Sequence, residues 1–316
     1  MGGGYFDTNT YTRSSVTRRS AGVSDFQYSE ENLRRRIIAP ELDPARIRTK
    51  PFGKLESRDN ADHPESNPVF VMFDVTGSNK TRAIEAQKKL PDLMNILTGT
   101  DTRPGYLRDP QILIAANDDF HVEGKMAFQV SDYESDNRID EMIRKILLVG
   151  NGGGNNGESY DLGMYCAARK TILDSMEKRN KKGYFFMYAD EPLFPVCSRR
   201  HIQEIFGDNL EAHIPIADLI TELKQLYNIY VMWPVGGYDE AYQQFVALFG
   251  ENSVLTLQHP NMICQLIGSV IGFNEGRVRS ATQLQDDLAA AGVSQEDIAS
   301  VTSTLALNRS ITFEAA

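Results

Sequence analysis

The chain is poor in cysteine, histidine and tryptophan, with three, five and one among 316 residues. The cysteines, Cys166, Cys197 and Cys264, form an odd set with no CxxC spacing. That argues against a disulfide framework or a cysteine zinc site and fits a reducing compartment. Clustered positive charge is also missing. The formal net charge is -10, whereas nucleic-acid binding rests on grouped Lys and Arg. The short basic stretch around Arg13, Arg18 and Arg19 reads as a solvated segment. No run reaches the roughly 20 apolar residues of a membrane helix. The opening MGGGYFDTNTYT lacks the apolar centre of a signal peptide. Its Met1-Gly2 matches a myristoylation start only as any Gly-rich opening does. These absences lead to the expectation of a cytoplasmic protein whose partners include neither membrane nor nucleic acid.

What is present suits a globular protein with a full core: 41% hydrophobic and 24% charged residues. Residues 1–65 are polar and read as a partly irregular arm packed on the main domain. One short helix, SEENLRRRII, interrupts it, capped by Ser29 with Glu30 and Glu31 in its first turn. From residue 66 strands and helices alternate. NPVFVMFD is an apolar run of strand length, of the kind buried on both faces of a parallel sheet. TRAIEAQKKLPDLMNILTG has helical spacing and a stop at Gly99. QILIAAND is a strand and KMAFQVSD its hairpin partner, with HVEG at the turn. RIDEMIRKILLVG and YDLGMYCAARKTILDSMEK read as helices, and KGYFFMYADEP as a strand ending in an acid. A helix at 215–228, the strand IYVMWPVG, the helix EAYQQFVALFG, and SVLTLQ with NMICQLIGSVIGF complete the unit, 66–279. The segment 280–316 forms a tail of two short helices broken at Gly292, with Ser294 capping the second. The expected fold class is α/β: a doubly wound, Rossmann-like, mostly parallel sheet with helices on both faces.

The stretch FDVTGSNKT, residues 73–81, asks for a chemical explanation. A Walker loop needs Gly, four residues, then Gly-Lys-Ser/Thr, and here Lys80 follows Asn79. A phospho-aspartate enzyme wants a second acid two residues after Asp74, and Thr76 stands there. A metal site fits better. Ligands in such sheets bind beyond the carboxyl ends of the strands, and Mg²⁺ takes about six oxygens, including hydroxyls and waters. Asp74, Thr76 and Ser78 fall at i, i+2, i+4 on a turn leaving a strand. The loop NGGGNNGES adds Asn155, Asn156, Glu158 and Ser159 as oxygen donors, and Asp190 ends YFFMYAD.

DVTGS resembles the Asp-x-Ser-x-Ser metal-ion-dependent adhesion site of von Willebrand factor type A domains. The family's later acid falls on Asp190. GGGNNGESYDLGMYCA is similar to the Gly-rich, Glu-bearing loop of integrin beta-type A domains, which points to Glu158 and leaves no threonine equivalent. Thr76 replaces the usual serine and keeps the hydroxyl. Asn79 stands where the family often has Met, on the flank of the site. Lys80, Thr81 and Arg82 occupy the place of a second acidic pair, so a single ion is expected. The resemblance covers roughly residues 66–275. It implies a domain that binds Mg²⁺ or Mn²⁺ through Asp74, Thr76, Ser78, Asn156, Glu158 and Asp190 and grips an acidic side chain of another protein. MGGGYFD and ESRDNADHPES also look like lone-domain relatives in bacteria and phages. Some intracellular relatives serve AAA+ ATPases of the MoxR type as adaptors, which gives a partner class. Two alternatives stay open: a metal-assisted hydrolase, and an assembly protein stapled by its metal. The first lacks a histidine base within the motifs.

Other residues read more plainly. Asp118 and Asp119 end the second strand and could approach the metal face, but the turn chemistry of Asp favours a hairpin turn. His63 could be a ligand or base, but with nothing pairing it in sequence a capping or hydrogen-bonded surface histidine is favoured, and Arg58–Asp59 reads as an ion pair pinning the arm. Cys166, Cys264 and Trp233 belong to the core, and Cys197 to a loop.

Overall fold

A computed structural model describes residues 4–150, 157–236 and 239–307, apart from the side chains of Ser78 and Leu307. The run NPVFVMFD forms strand β1 (Asn67–Asp74), and all eight residues are buried. Five further strands join it: β2 (Pro110–Asn117), β3 (Phe128–Val130), β4 (Gly183–Tyr188), β5 (Tyr227–Pro234) and β6 (Val254–Leu257). Their order is β6-β5-β4-β1-β2-β3. All pairings are parallel except β2 with β3, where Ala115 faces Val130. The protein is therefore a mixed α/β fold with a mostly parallel central sheet. Successive strand residues point to opposite faces. Val69, Val71 and Phe73 enter one apolar cluster and Phe70 and Met72 another.

The first cluster is covered by helices α3 (Thr81–Lys88), α4 (Leu90–Thr98), α6 (Arg138–Arg144), α12 (Ile263–Asn274), α13 (Ala281–Ala290) and α14 (Gln295–Leu307). Helices α7 (Tyr160–Arg169), α9 (Arg199–Phe206), α10 (Ile216–Leu226) and α11 (Glu240–Phe249) cover the second. The tail is part of the core: Leu284, Leu288, Ile298, Val301 and Leu305 are buried in the first cluster. Ser294 caps α14 by accepting from the Asp297 N–H at 3.2 Å. Among the described residues no helix is long and apolar enough to cross a membrane.

Several expectations are corrected. The helix after β1 is two helices, broken at Lys89 just ahead of Pro91. Proline has no N–H to donate and its ring crowds the preceding turn. YDLGMYCAARKTILDSMEK is likewise interrupted. Thr171–Leu173 leaves α7 to pair in parallel with Leu55–Ser57, and α8 (Asp174–Arg179) follows. Thr171 and Ile172 are β-branched and favour this extended pairing. HVEG is not a bare turn: its first three residues lie in a short helix, α5 (Phe120–Glu123), and Gly124 opens a 3-10 turn, Gly124–Ala127. Helix α6 ends at Arg144, short of KILLVG.

The arm holds an unforeseen helix, α1 (Thr8–Ser20), capped by Asp7. Ser29 lies inside α2 (Gln27–Asn32) rather than capping it, and its hydroxyl accepts from the Leu148 N–H at 2.9 Å. Arg58 and Asp59 do not pair with each other. Arg58 binds Glu56, Asp174 and Glu177, while Asp59 binds Lys178 and Arg179, so both tie the arm to α8. His63 is buried, not superficial, and Cys197 is buried in a two-residue strand with Val196.

Candidate metal centre at the carboxyl edge of the sheet

Strand β1 has β2 on one side and β4 on the other, so the strand order reverses there. In open parallel sheets that reversal leaves a crevice beyond the carboxyl ends. Asp74 is the last residue of β1 and is fully buried. The chain then turns through Val75 and Thr76 into a 3-10 turn at Gly77–Lys80. Gly77 has φ +41°, a conformation open to glycine at low cost. The Thr76 N–H and hydroxyl both donate to Asp74 Oδ1, at 2.8 and 2.5 Å. A hydroxyl that gives its proton to a carboxylate keeps its lone pairs for a cation.

Two further loops reach the same edge. Glu158 precedes α7 and is held by its backbone N–H, which donates to the Pro192 carbonyl at 3.0 Å. Two residues on, the Tyr160 hydroxyl donates to Asp74 Oδ2 at 2.7 Å and accepts from the Asp190 N–H at 3.3 Å. Asp190 follows β4, and its carboxylate accepts from Asn79 Nδ2 at 3.0 and 2.9 Å. Thus Asp74, Thr76 and Asp190 are linked through Tyr160 and Asn79. Glu158 is coupled to Asp74 through the electrostatic field. Asn155 and Asn156 lie outside the described residues, as does the side chain of Ser78.

Asp118 and Asp119 were expected to favour a turn. Asp119 does cap α5, accepting from the His121 N–H at 3.0 Å. Both residues are fully buried at the end of β2, and both press electrostatically on Glu158. No sequence pattern separates a turn-forming Asp from a buried one. Tyr160 was also missed, because its role depends on where α7 begins. Asn79, placed on the flank, in fact holds Asp190.

The electrostatics of this edge are unfavourable as they stand. Burial, followed by the charges of Asp74, Asp118 and Asp119, pushes Glu158 up to about 9. Burial pushes Asp118 up to about 8 against the help of the Asp119 N–H, with Glu123 and Asp74 adding to the rise. Asp74 is raised by burial and then by Asp190, despite its bonds from Thr76 and Tyr160. Glu158 Oε2, Asp118 Oδ2, Asp119 Oδ2 and Asn117 Oδ1 are buried without a hydrogen-bond partner. Orphaned, crowded oxygens of this kind fit a hard, oxygen-seeking cation. Among the described residues no three His, Cys, Asp or Glu side chains converge as a ready ligand set. A cation here must therefore draw on hydroxyls and water as well as carboxylates.

No family model and no curated protein matches the chain. Solved structures with some likeness include proximal thread matrix protein 1 from the mussel byssus. It is 13% identical with a TM-score of 0.42, over 70% of this chain and 47% of that one. A second is the pilus adhesin SpaC from Lactobacillus rhamnosus GG in its open conformation, 10% identical with a TM-score of 0.41, over 74% and 31%. The chain thus spans less than half the length of either.

Proposed function

We propose that the protein is a metal-dependent interaction module of the von Willebrand factor A type, its sheet doubly wound in the Rossmann manner and its A domain spanning 66–279. The observation that carries this proposal is the buried Glu158 carboxylate, with one oxygen unpartnered and other acids around it. Without a counter-charge such a group keeps its proton, and ionising it in place carries a desolvation cost. A divalent cation removes that cost.

Thr76, Ser78 and Glu158 are the proposed direct oxygen donors, with Asn156 beside them. Asp74 orients the Thr76 hydroxyl through the bond at 2.5 Å. Tyr160 and Asn79 hold Asp74 and Asp190 in place. When bound, Mg²⁺ or Mn²⁺ supplies positive charge with an exchangeable water position, which suits an Asp or Glu from another protein.

The test uses full-length protein stripped with chelator and loaded with Mn²⁺. Water-proton relaxation reports whether the bound ion keeps exchangeable water. We expect enhanced relaxation that falls when a Glu-containing peptide is added and holds with its Gln counterpart. Bound Mn²⁺ with no exchangeable water would instead mark a stapling metal and overturn the adhesive role.

A further inference from the structure

At the opposite, amino end of the sheet a cavity of about 220 Å³ is lined by Tyr5, His63, Arg108, Asp109 and Ser135 among others. Its polar groups converge. The Ser135 hydroxyl lies 3.0 Å from His63 Nε2. His63 Nδ1 lies 3.6 Å from Asp109 Oδ1 and has no hydrogen-bond partner, although the ring is buried. His63 is seated by its N–H, which donates to Asn60 Oδ1 at 2.9 Å. Asp109 is fixed in turn by the Glu65 N–H, which donates to Oδ2 at 3.0 Å. Its own backbone has φ +43°, a strained conformation for a residue other than glycine.

From this geometry we infer a second site: a Ser135–His63–Asp109 relay that hydrolyses small acyl esters. It is independent of the metal centre. The β2 strand separates the two, since Asp109 stands at its start and Asn117 at its end, roughly 25 Å apart at strand rise. The roles follow from atom positions. Ser135 Oγ attacks the ester carbonyl carbon as its proton passes to His63 Nε2. Asp109, 3.6 Å from Nδ1, balances the charge formed on the ring. Arg108 lines the same cavity, and its guanidinium, ion-paired with Glu65 at 3.0 Å, would turn from that partner to supply positive charge for the tetrahedral oxyanion. Collapse of that intermediate breaks the C–O bond, and His63 gives its proton to the departing alcohol. Water then attacks the acyl-Ser135 ester with His63 as base, releasing the acid and restoring the hydroxyl. A cavity of this size limits the acyl group to a few carbons.

The arm covers the relay. The Gly4 carbonyl accepts from the Ser135 hydroxyl at 2.8 Å and lies 2.9 Å from His63 Nε2. The Tyr5 ring packs on His63 with centroids 4.5 Å apart. Gly4 and Tyr5 must lift before an ester enters, so the covered form is the resting state. Tyr5 is 64% exposed, so its replacement loosens the cover at little cost to the core.

The test is labelling of the full chain by a fluorophosphonate, with p-nitrophenyl acetate hydrolysis read in parallel. Wild type, Tyr5→Ala, Ser135→Ala and Asp109→Asn are compared, each first shown to be folded by its thermal unfolding. We expect phosphonylation mapped to Ser135, faster in Tyr5→Ala and absent in Ser135→Ala. Ester hydrolysis should fall about 100-fold or more in Ser135→Ala. Asp109→Asn should slow both, since Asn suits the positive φ but no longer balances the imidazolium. Folded wild type and folded Tyr5→Ala that both stay unlabelled would overturn the proposal and leave the three residues as an anchor for the arm.

Discussion

At the scale of single residues, the proposed metal centre turns on which oxygens are satisfied within the protein and which are not. The Thr76 N–H and hydroxyl both donate to Asp74 Oδ1, and of the two only the hydroxyl can also face a cation. Thr76→Ser keeps that hydroxyl and Thr76→Val removes it at nearly constant shape. Mn²⁺ affinity is expected to hold in the first and to weaken by about 10-fold or more in the second, as measured by equilibrium dialysis. Equal affinities would show that the Thr76 hydroxyl is not a donor. The residues of this edge were unequally legible. Asp74, Glu158 and Asp190 stand at strand ends or beside glycines, where sequence pattern points. Tyr160 and Asp118 carry no such mark. A tyrosine opening a helix and an aspartate following a strand are ordinary, and only the fold brings them together.

At the scale of elements, α7 must approach β1 closely for Tyr160 to reach Asp74. Gly163 makes that approach possible, since a Cβ there would stand 2.0 Å from Met72 Sδ. Gly163→Ala gains helix propensity but overpacks a filled interface. A net loss of about 1–3 kcal/mol is expected in urea unfolding. Unchanged or higher stability would mean that Met72 yields freely and that α7 is not positioned by this contact. The strands were readable because runs such as NPVFVMFD are apolar throughout and end on polar turns. Helix boundaries were not. The break at Lys89 depends on Pro91, and the departure of Thr171–Leu173 depends on a partner strand 116 residues earlier in register. Helix α1 was invisible for another reason: Tyr11 is its single buried residue, so it carries no apolar stripe. Its attachment is polar: the Tyr11 hydroxyl donates to the Gln87 carbonyl at 2.8 Å, the Thr8 hydroxyl donates to Asn95 Oδ1 at 3.2 Å, and Arg18 pairs with Asp25.

At the scale of the whole molecule, buried acids make stability depend on pH. Asp161 illustrates the sign away from the proposed metal donors. It is fully buried, neither of its carboxyl oxygens has a hydrogen-bond partner, and burial pushes it up to about 7. A raised folded pKa means that the folded form holds its proton more tightly than the unfolded form. The associated stability is complete below the ordinary value of 3.8 and is lost as pH rises through about 7. Asp161→Asn cannot titrate. Its loss of stability between pH 5 and pH 8 should therefore be smaller than that of wild type, by an amount on the order of a few kcal/mol. Chemical denaturation at a series of pH values measures this, and parallel profiles for the two proteins would contradict it.

The same logic makes the metal question decisive, because a cation would supply the counter-charge for the crowded acids of the carboxyl edge. The most direct measurement is calorimetric titration of chelator-stripped protein with Mn²⁺ and Mg²⁺, beside Glu158→Gln and the double variant Asp74→Ala, Ser78→Ala. The account predicts saturable binding at one site in the wild type and its loss in both variants, with each protein still folded. Folded wild type that binds neither ion, or variants that bind as well as wild type, would contradict it.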